Sequence, residues 1–61
     1  MKASDYVYEQ ARNAALKAGL PDRESAWIGA DAVKRWKTRQ KAVDAVEDAV
    51  KYGKKAYKKR K

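Results

Sequence analysis

The sequence predicts an all-α protein: a small helical hairpin or three-helix bundle with a long second helix and a basic C-terminal end. Alanine, lysine, arginine and glutamate, which favour helices, are abundant along the chain. Apolar residues recur at spacings of three and four rather than alternating, so we expect no strand. Glycine and proline interrupt the chain at only three places: Gly19 to Pro21, Gly29 and Gly53.

A first helix is predicted from about residue 5 to residue 18. Ser4 is a suitable N-cap because its hydroxyl can accept a hydrogen bond from a free amide of the first turn. Gly19 suits the left-handed position after a helix, which lets Leu20 fold back onto the last turn, while Pro21 prevents continuation. The predicted apolar face of this helix consists of mostly small residues: Val7, Ala11, Ala14, Ala15 and Ala18.

A second helix is predicted to begin near Asp22, with that residue as its N-cap. Its end leaves two architectures open, because neither Gly nor Pro occurs between residues 30 and 52. An apolar stripe also keeps its phase over that length, with Arg39 as the one polar interruption. The members of the stripe that fall every seven residues are Gly29, Trp36, Val43, Val50 and Tyr57.

The two architectures differ at Thr38. One continuous helix from Asp22 to about Lys58 would be roughly 55 Å long, and the first helix could cover only half of it. A break near Thr38, which could cap a third helix, would instead give a compact three-helix bundle.

A chain of 61 residues buries little surface, and this one has neither Cys nor His to form disulfides or a zinc site. Association between copies is one way to supply the missing stability, so we expect a homodimer. The predicted seam contains Val43, Val46 and Val50 beside a ridge of small residues. That ridge fits an ordinary intrachain core equally well. Its members are Ala42, Ala45, Ala49, Gly53 and Ala56.

Charge divides the chain into a helical body, residues 1–50, and a basic C-terminal extension, residues 51–61, helical at its start. The body holds nine Lys or Arg and eight Asp or Glu, whereas the extension holds seven Lys or Arg and no acid. A cationic block of this kind predicts a polyanionic partner, and nucleic acid bound non-specifically through its phosphates is the favoured one. A solvating tail and an anionic membrane surface are the less favoured alternatives.

The predicted nucleic-acid-binding residues form two basic sets, separated by acids around Asp44 and Asp48. Tyr52 and Tyr57 lie among the lysines of the second set, where their rings could stack on unpaired bases. Tyr57 also lies on the apolar stripe, which favours a core or seam position for it. The first set lies in or just after the second helix and the second set at the C-terminal end. They are Lys34, Lys37 and Lys41, followed by Lys51, Lys54, Lys55, Lys58, Lys59, Arg60 and Lys61.

The alternative function is a protein-interaction module, such as a small adaptor or inhibitor of the phage type. Leu16, Leu20 and Trp27 could meet near the first turn, either as a small satellite core or as a docking patch. The seam from Val43 to Val50 is the other predicted docking surface. Trp36 is in phase with the apolar stripe, so we interpret it as a core residue.

No catalytic residue, metal ligand or cofactor is predicted, so the protein is not expected to be an enzyme. His and Cys, which form most nucleophile–base pairs, do not occur. Ser4 and Ser25 lie near predicted helix starts and are interpreted as caps. No apolar run approaches the roughly 18 residues that span a membrane, and no secretory signal is apparent, so a cytoplasmic location is expected.

Overall fold

The computed structural model describes residues 2–38 and 40–60, and these form three helices and no strand. The helices are α1 (Ala3–Lys17), α2 (Asp22–Lys37) and α3 (Ala42–Arg60). The all-α class is therefore confirmed, in the three-helix form. The alternative with a long second helix is wrong, because α2 ends at Lys37 after 16 residues.

The turn between α1 and α2 closes as the sequence predicts. Gly19 has a φ of 90°, in the left-handed region. Its amide donates to the carbonyl of Leu16 at 3.0 Å, and the amide of Leu20 donates to the carbonyl of Ala15 at 3.1 Å. These two bonds define a Schellman motif, which satisfies carbonyls that the helix end leaves free. Leu20 thereby enters the core, where only 8% of its surface is exposed.

The predicted N-caps are wrong for both of the first two helices. The capping positions are Lys2 and Pro21, and neither makes a side-chain capping bond. Pro21 can begin α2 because its ring fixes φ near −62°, and its carbonyl accepts the amide of Ser25 at 2.9 Å. Ser4 and Asp22 consequently lie inside the first turns of α1 and α2, and not before these helices as predicted.

Thr38 ends α2 and does not cap α3, which corrects the prediction of a Thr38 cap. Its hydroxyl lies 3.2 Å from the carbonyl oxygen of Lys34 and 3.0 Å from that of Arg35, so it donates back into the helix that it follows. The amide of Gln40 also donates to the Arg35 carbonyl, at 3.3 Å. These bonds satisfy the last carbonyls of α2 at the point where the helix ends. Arg39, the polar interruption of the stripe, lies outside the described residues.

The core is built mostly from alanine, so the helices approach closely. Trp36, Val46 and Val50 are partly buried and pack against it. Ser25 is fully buried, and its hydroxyl donates to the carbonyl of Leu20 at 3.5 Å, so its interpretation as a helix cap is also wrong. The buried apolar residues of the described chain are Val7, Ala11, Ala15, Leu20, Ile28, Ala32, Ala45 and Ala49.

Two glycines mark the points where α2 meets its neighbours. A Cβ atom at Gly29 would lie 2.8 Å from Cδ2 of Tyr8 and 2.9 Å from its carbonyl oxygen, so α1 crosses α2 almost in backbone contact. A Cβ atom at Gly53 would overlap the side chain of Ile28, so α3 crosses α2 with the Ile28 side chain packed against the Gly53 backbone. Ala45 and Ala49 are fully buried as well. The centre of the small-residue ridge is therefore intrachain core.

Candidate nucleic-acid interface

Four lysines lie on one exposed face of α3, and we call Lys51, Lys54, Lys55 and Lys58 the lysine face. Their spacing of three and four residues places them on adjacent turns, over about 10 Å of helix axis. They line a shallow surface depression together with Val50 and Glu47. Among the described residues, no ion pair or side-chain hydrogen bond involves any of the four. Their ammonium groups are available to a ligand.

The charge of α3 is polarised along its axis. Asp44 lies in the first turn and Lys58, Lys59 and Arg60 in the last, which suits the direction of the helix dipole. Glu47 is the single acid that lines the depression with the lysines. It is spaced for an ion pair with Lys51, yet no such pair forms in the described chain. The positive charge of the lysine face is therefore largely uncompensated by its neighbours.

Arg60 differs from the lysines because it contacts α2. Its guanidinium forms an ion pair with Glu24 and lies over the ring of Trp27, 5.2 Å from the centroid. Arg60 thus joins the end of α3 to the start of α2, and its charge is partly neutralised. Lys59 is exposed on the last turn of α3. Lys61, the remaining predicted residue of the extension, lies outside the described residues.

The first basic set lies at the end of α2 and just before α3, and it is not part of the lysine face. Lys34 and Lys37 are exposed near the end of α2, and Lys41 is exposed just before α3. Lys41 and Lys58 are about 25 Å apart along the axis of α3, at a rise of about 1.5 Å per residue. Lys41 therefore lies far from Lys58, the last residue of the lysine face.

A second feature beside the lysine face is a groove between α2 and α3, which we call the aromatic groove. Trp27 is 62% exposed and Tyr52 is 50% exposed. The guanidinium of Arg35 lies 5.1 Å from the centroid of the Tyr52 ring. The complete lining is Glu24, Trp27, Ile28, Asp31, Tyr52, Gly53, Ala56 and Arg60.

The acids of the aromatic groove are paired with arginines. Nε of Arg35 donates to Oδ2 of Asp31 at 2.9 Å, and this hydrogen bond raises the pKa of Arg35. Glu24 is paired with Arg60, as described above. The groove therefore carries aromatic rings, guanidinium groups and neutralised carboxylates side by side.

The predicted protein-docking residues are divided among three places. Leu20 is buried in the core and Leu16 is half-buried. Trp27 faces the aromatic groove, whose lining includes neither leucine, so the predicted patch of Leu16, Leu20 and Trp27 is not assembled there. The first turn buries Leu20 as part of its Schellman geometry, which removes it from the surface.

The valine seam is mostly covered by the chain itself. Val46 and Val50 are half-buried against the core, whereas Val43 is 69% exposed. Val43 lies in a second groove, between α1 and α3, which it shares with the half-exposed Tyr6. The apolar stripe is therefore not left uncovered over its length, so it no longer supports a dimer. The homodimer itself stays a prediction.

Sequence reasoning missed two features of this surface. Arg60 was grouped with the lysines, and no local pattern signals its pairing with Glu24, 36 residues away in the chain. No pattern in the sequence predicts that Tyr6 shares a groove with Val43. The contacts that place both residues are long-range, so helical periodicity carries no signal for them.

Comparison of the chain with protein-family models, curated proteins and solved structures found no match. Within residues 2–38 and 40–60, no three acidic side chains come together as a set of metal ligands. No helix in that part of the chain is long and apolar enough to cross a membrane.

Proposed function

We propose that this protein binds nucleic acid non-specifically, through phosphate contacts made by the lysine face. The observation that carries the proposal is the set of four exposed lysines on one helix face, none of which has an acidic partner in the described chain. Charges held together on a folded helix create a stronger local potential than the same charges on a flexible tail. The role is one of binding, and no catalytic step is proposed.

The residue types favour phosphate contact over base recognition. Lysine is a compact point charge on a flexible stem, whereas arginine forms the bidentate pairs that identify guanine. The lysine face contains no arginine, and Arg60 is engaged by Glu24 and Trp27. Lys59 and the set of Lys34, Lys37 and Lys41 would add long-range attraction. We therefore propose binding that depends on salt and little on sequence.

Removal of three lysines from the face tests the proposal. The variant K51Q/K54Q/K58Q should bind a labelled oligonucleotide of about 20 residues at least about tenfold more weakly than the parent chain at low salt. The slope of log K against log salt should also become shallower by about two to three units with duplex DNA, because each lost phosphate contact removes about 0.9. Fluorescence anisotropy over a salt series measures both quantities.

A variant with the same loss of charge elsewhere is the control. Lys2, Lys17 and Arg23 are exposed and do not belong to α3, so K2Q/K17Q/R23Q lowers the net charge equally. We expect it to keep most of the affinity and slope of the parent chain. Equal losses in the two variants would reduce the effect to net charge and contradict a specific lysine face. Circular dichroism checks that both variants remain helical.

Protein docking is a second candidate function, supported by the exposed groove between α1 and α3. Val43 and Tyr6 are large apolar side chains that the chain leaves uncovered there. Exposed aromatic and aliphatic residues beside one another are typical of interfaces between proteins. A second copy of the chain is the partner that the predicted homodimer would place on this groove.

A further inference from the structure

We infer that the aromatic groove stacks unpaired bases beside the lysine face, so that the preferred ligand is single-stranded nucleic acid. This inference rests on the proposed phosphate binding and adds the class of nucleic acid to it. It also gives Trp27 a role that the phosphate contacts leave unexplained. Three features of the surface support it: the exposure of the rings, their position relative to the lysines, and the pairing of the nearby acids.

The rings of Trp27 and Tyr52 are unusually open to solvent. Trp27 remains 62% exposed even though the guanidinium of Arg60 lies against it, and Tyr52 remains 50% exposed beside Arg35. Folding ordinarily buries most of such rings, because they are largely apolar. Aromatic faces next to guanidinium groups are suitable platforms for bases, which stack on both kinds of planar group.

The groove and the lysine face share α3. Tyr52 lines the groove and precedes Lys55 by three residues, so these two side chains are neighbours on the surface of α3. A strand whose phosphates lie along Lys51 and Lys55 would therefore have its bases within reach of the groove. A duplex could reach the lysines but not the rings, since its bases are stacked inside the helix.

The acids of the groove do not oppose this arrangement. Glu24 is paired with Arg60 and Asp31 with Arg35, so both carboxylates are neutralised by partners already present. The phosphates would stay on the lysine side of Tyr52, away from these acids. The groove itself would receive only the uncharged bases.

Two oligonucleotides of equal charge test the inference with the intact chain. One is an oligothymidylate of about 12 nucleotides and the other an abasic strand with the same number of phosphates. We expect the thymidylate to bind about tenfold more tightly at the same salt, because its bases can stack on the aromatic rings and an abasic strand has none. The variant W27A should lose most of that advantage and leave the affinity for the abasic strand unchanged.

Two further variants separate stacking from structural effects. W27F retains an aromatic face and should keep the preference for thymidylate to within about threefold. Y6A removes a half-exposed ring outside the groove, and we expect it to leave both affinities unchanged. Equal binding of the two oligonucleotides by the parent chain would overturn the inference, and so would a loss by W27A that is equal for both.

The outcomes also distinguish this inference from the proposed function. Salt-sensitive binding of both strands with equal affinity leaves the phosphate contacts standing and overturns base stacking alone. Failure of both strands to bind, even at low salt, overturns the proposed function and the inference with it.

Discussion

Gly19 shows how one backbone conformation determines a turn. Its φ of 90° is disfavoured for residues with a Cβ atom, and no neighbouring atom lies within 4 Å of the position that a Cβ would take. The requirement for glycine is therefore conformational rather than steric. The Schellman bonds of this turn direct Leu20 into the core, so the same residue also determines how α1 and α2 pack.

The variant G19A should lower the free energy of unfolding by about 1 kcal/mol, because alanine is disfavoured in the left-handed region. Urea denaturation followed by circular dichroism measures the change. The matched variant is G19N, since asparagine adopts left-handed conformations more readily, and its loss should be smaller. Equal losses for the two variants would contradict a conformational cause.

Arginine and lysine have different roles on this surface. Arg35 and Arg60 each lie over an aromatic ring and pair with a carboxylate, whereas the four lysines of the lysine face do neither. The planar guanidinium can stack and form hydrogen bonds at the same time, but a strongly hydrated ammonium cannot stack. The two kinds of cation are thus separated between the aromatic groove and the lysine face.

At the scale of helices, α2 is the element on which the others pack. Gly29 receives Tyr8 of α1, and Ile28, one position earlier, fills the space that Gly53 leaves on α3. The glycines at both crossings let Tyr8 and Ile28 make close dispersion contacts with the neighbouring backbone, which offsets the small size of an alanine-rich core. α3 in turn presents Ala45 and Ala49 inward and its lysines outward.

The variant G29A tests the crossing of α1 and α2. In an exposed helix, a change from glycine to alanine would raise stability by about 1 kcal/mol. At Gly29 the new methyl group would meet the backbone of Tyr8, so we expect a loss of about 1–3 kcal/mol instead. The sign of the change in thermal or urea unfolding decides between these possibilities, and a gain in stability would contradict the close approach.

At the scale of the whole molecule, the chain is a small body of about 32 × 20 × 13 Å with distinct surfaces. α3 carries the lysine face outward, the aromatic groove lies on its α2 side, and the Tyr6–Val43 groove lies on its α1 side. A protein of this size has little core relative to its surface. Burial of its exposed apolar side chains against a partner would therefore add a comparatively large amount to its stability.

Sedimentation velocity tests the predicted homodimer. We expect the parent chain to sediment as a dimer at high protein concentration and V43E as a monomer, because a carboxylate would be desolvated in the contact. Ala30 is exposed on α2, so A30E is the control with the same added charge. A monomeric parent chain at all concentrations would contradict the dimer, and dissociation by both variants would exclude the Val43 surface as its cause.

The sequence determined the features that depend on neighbours along the chain. Helical composition and periodicity predicted the all-α class, and the Gly19–Pro21 signal predicted the end of α1. The concentration of Lys after residue 50 identified the basic end of α3. These features follow from intrinsic backbone preferences and from the helical repeat, which act within about one turn.

Tertiary structure decided the features that depend on residues far apart in the chain. The apolar stripe keeps its phase across Thr38, so the pattern alone did not choose between a long helix and a break. The break lets Val46 and Val50 pack on the chain's own core. One extended helix would leave these two valines exposed. The same folding back places Arg60 against Trp27 and builds the aromatic groove. Burial of apolar surface is non-directional, and only the complete packing of three helices decides which side chains it covers.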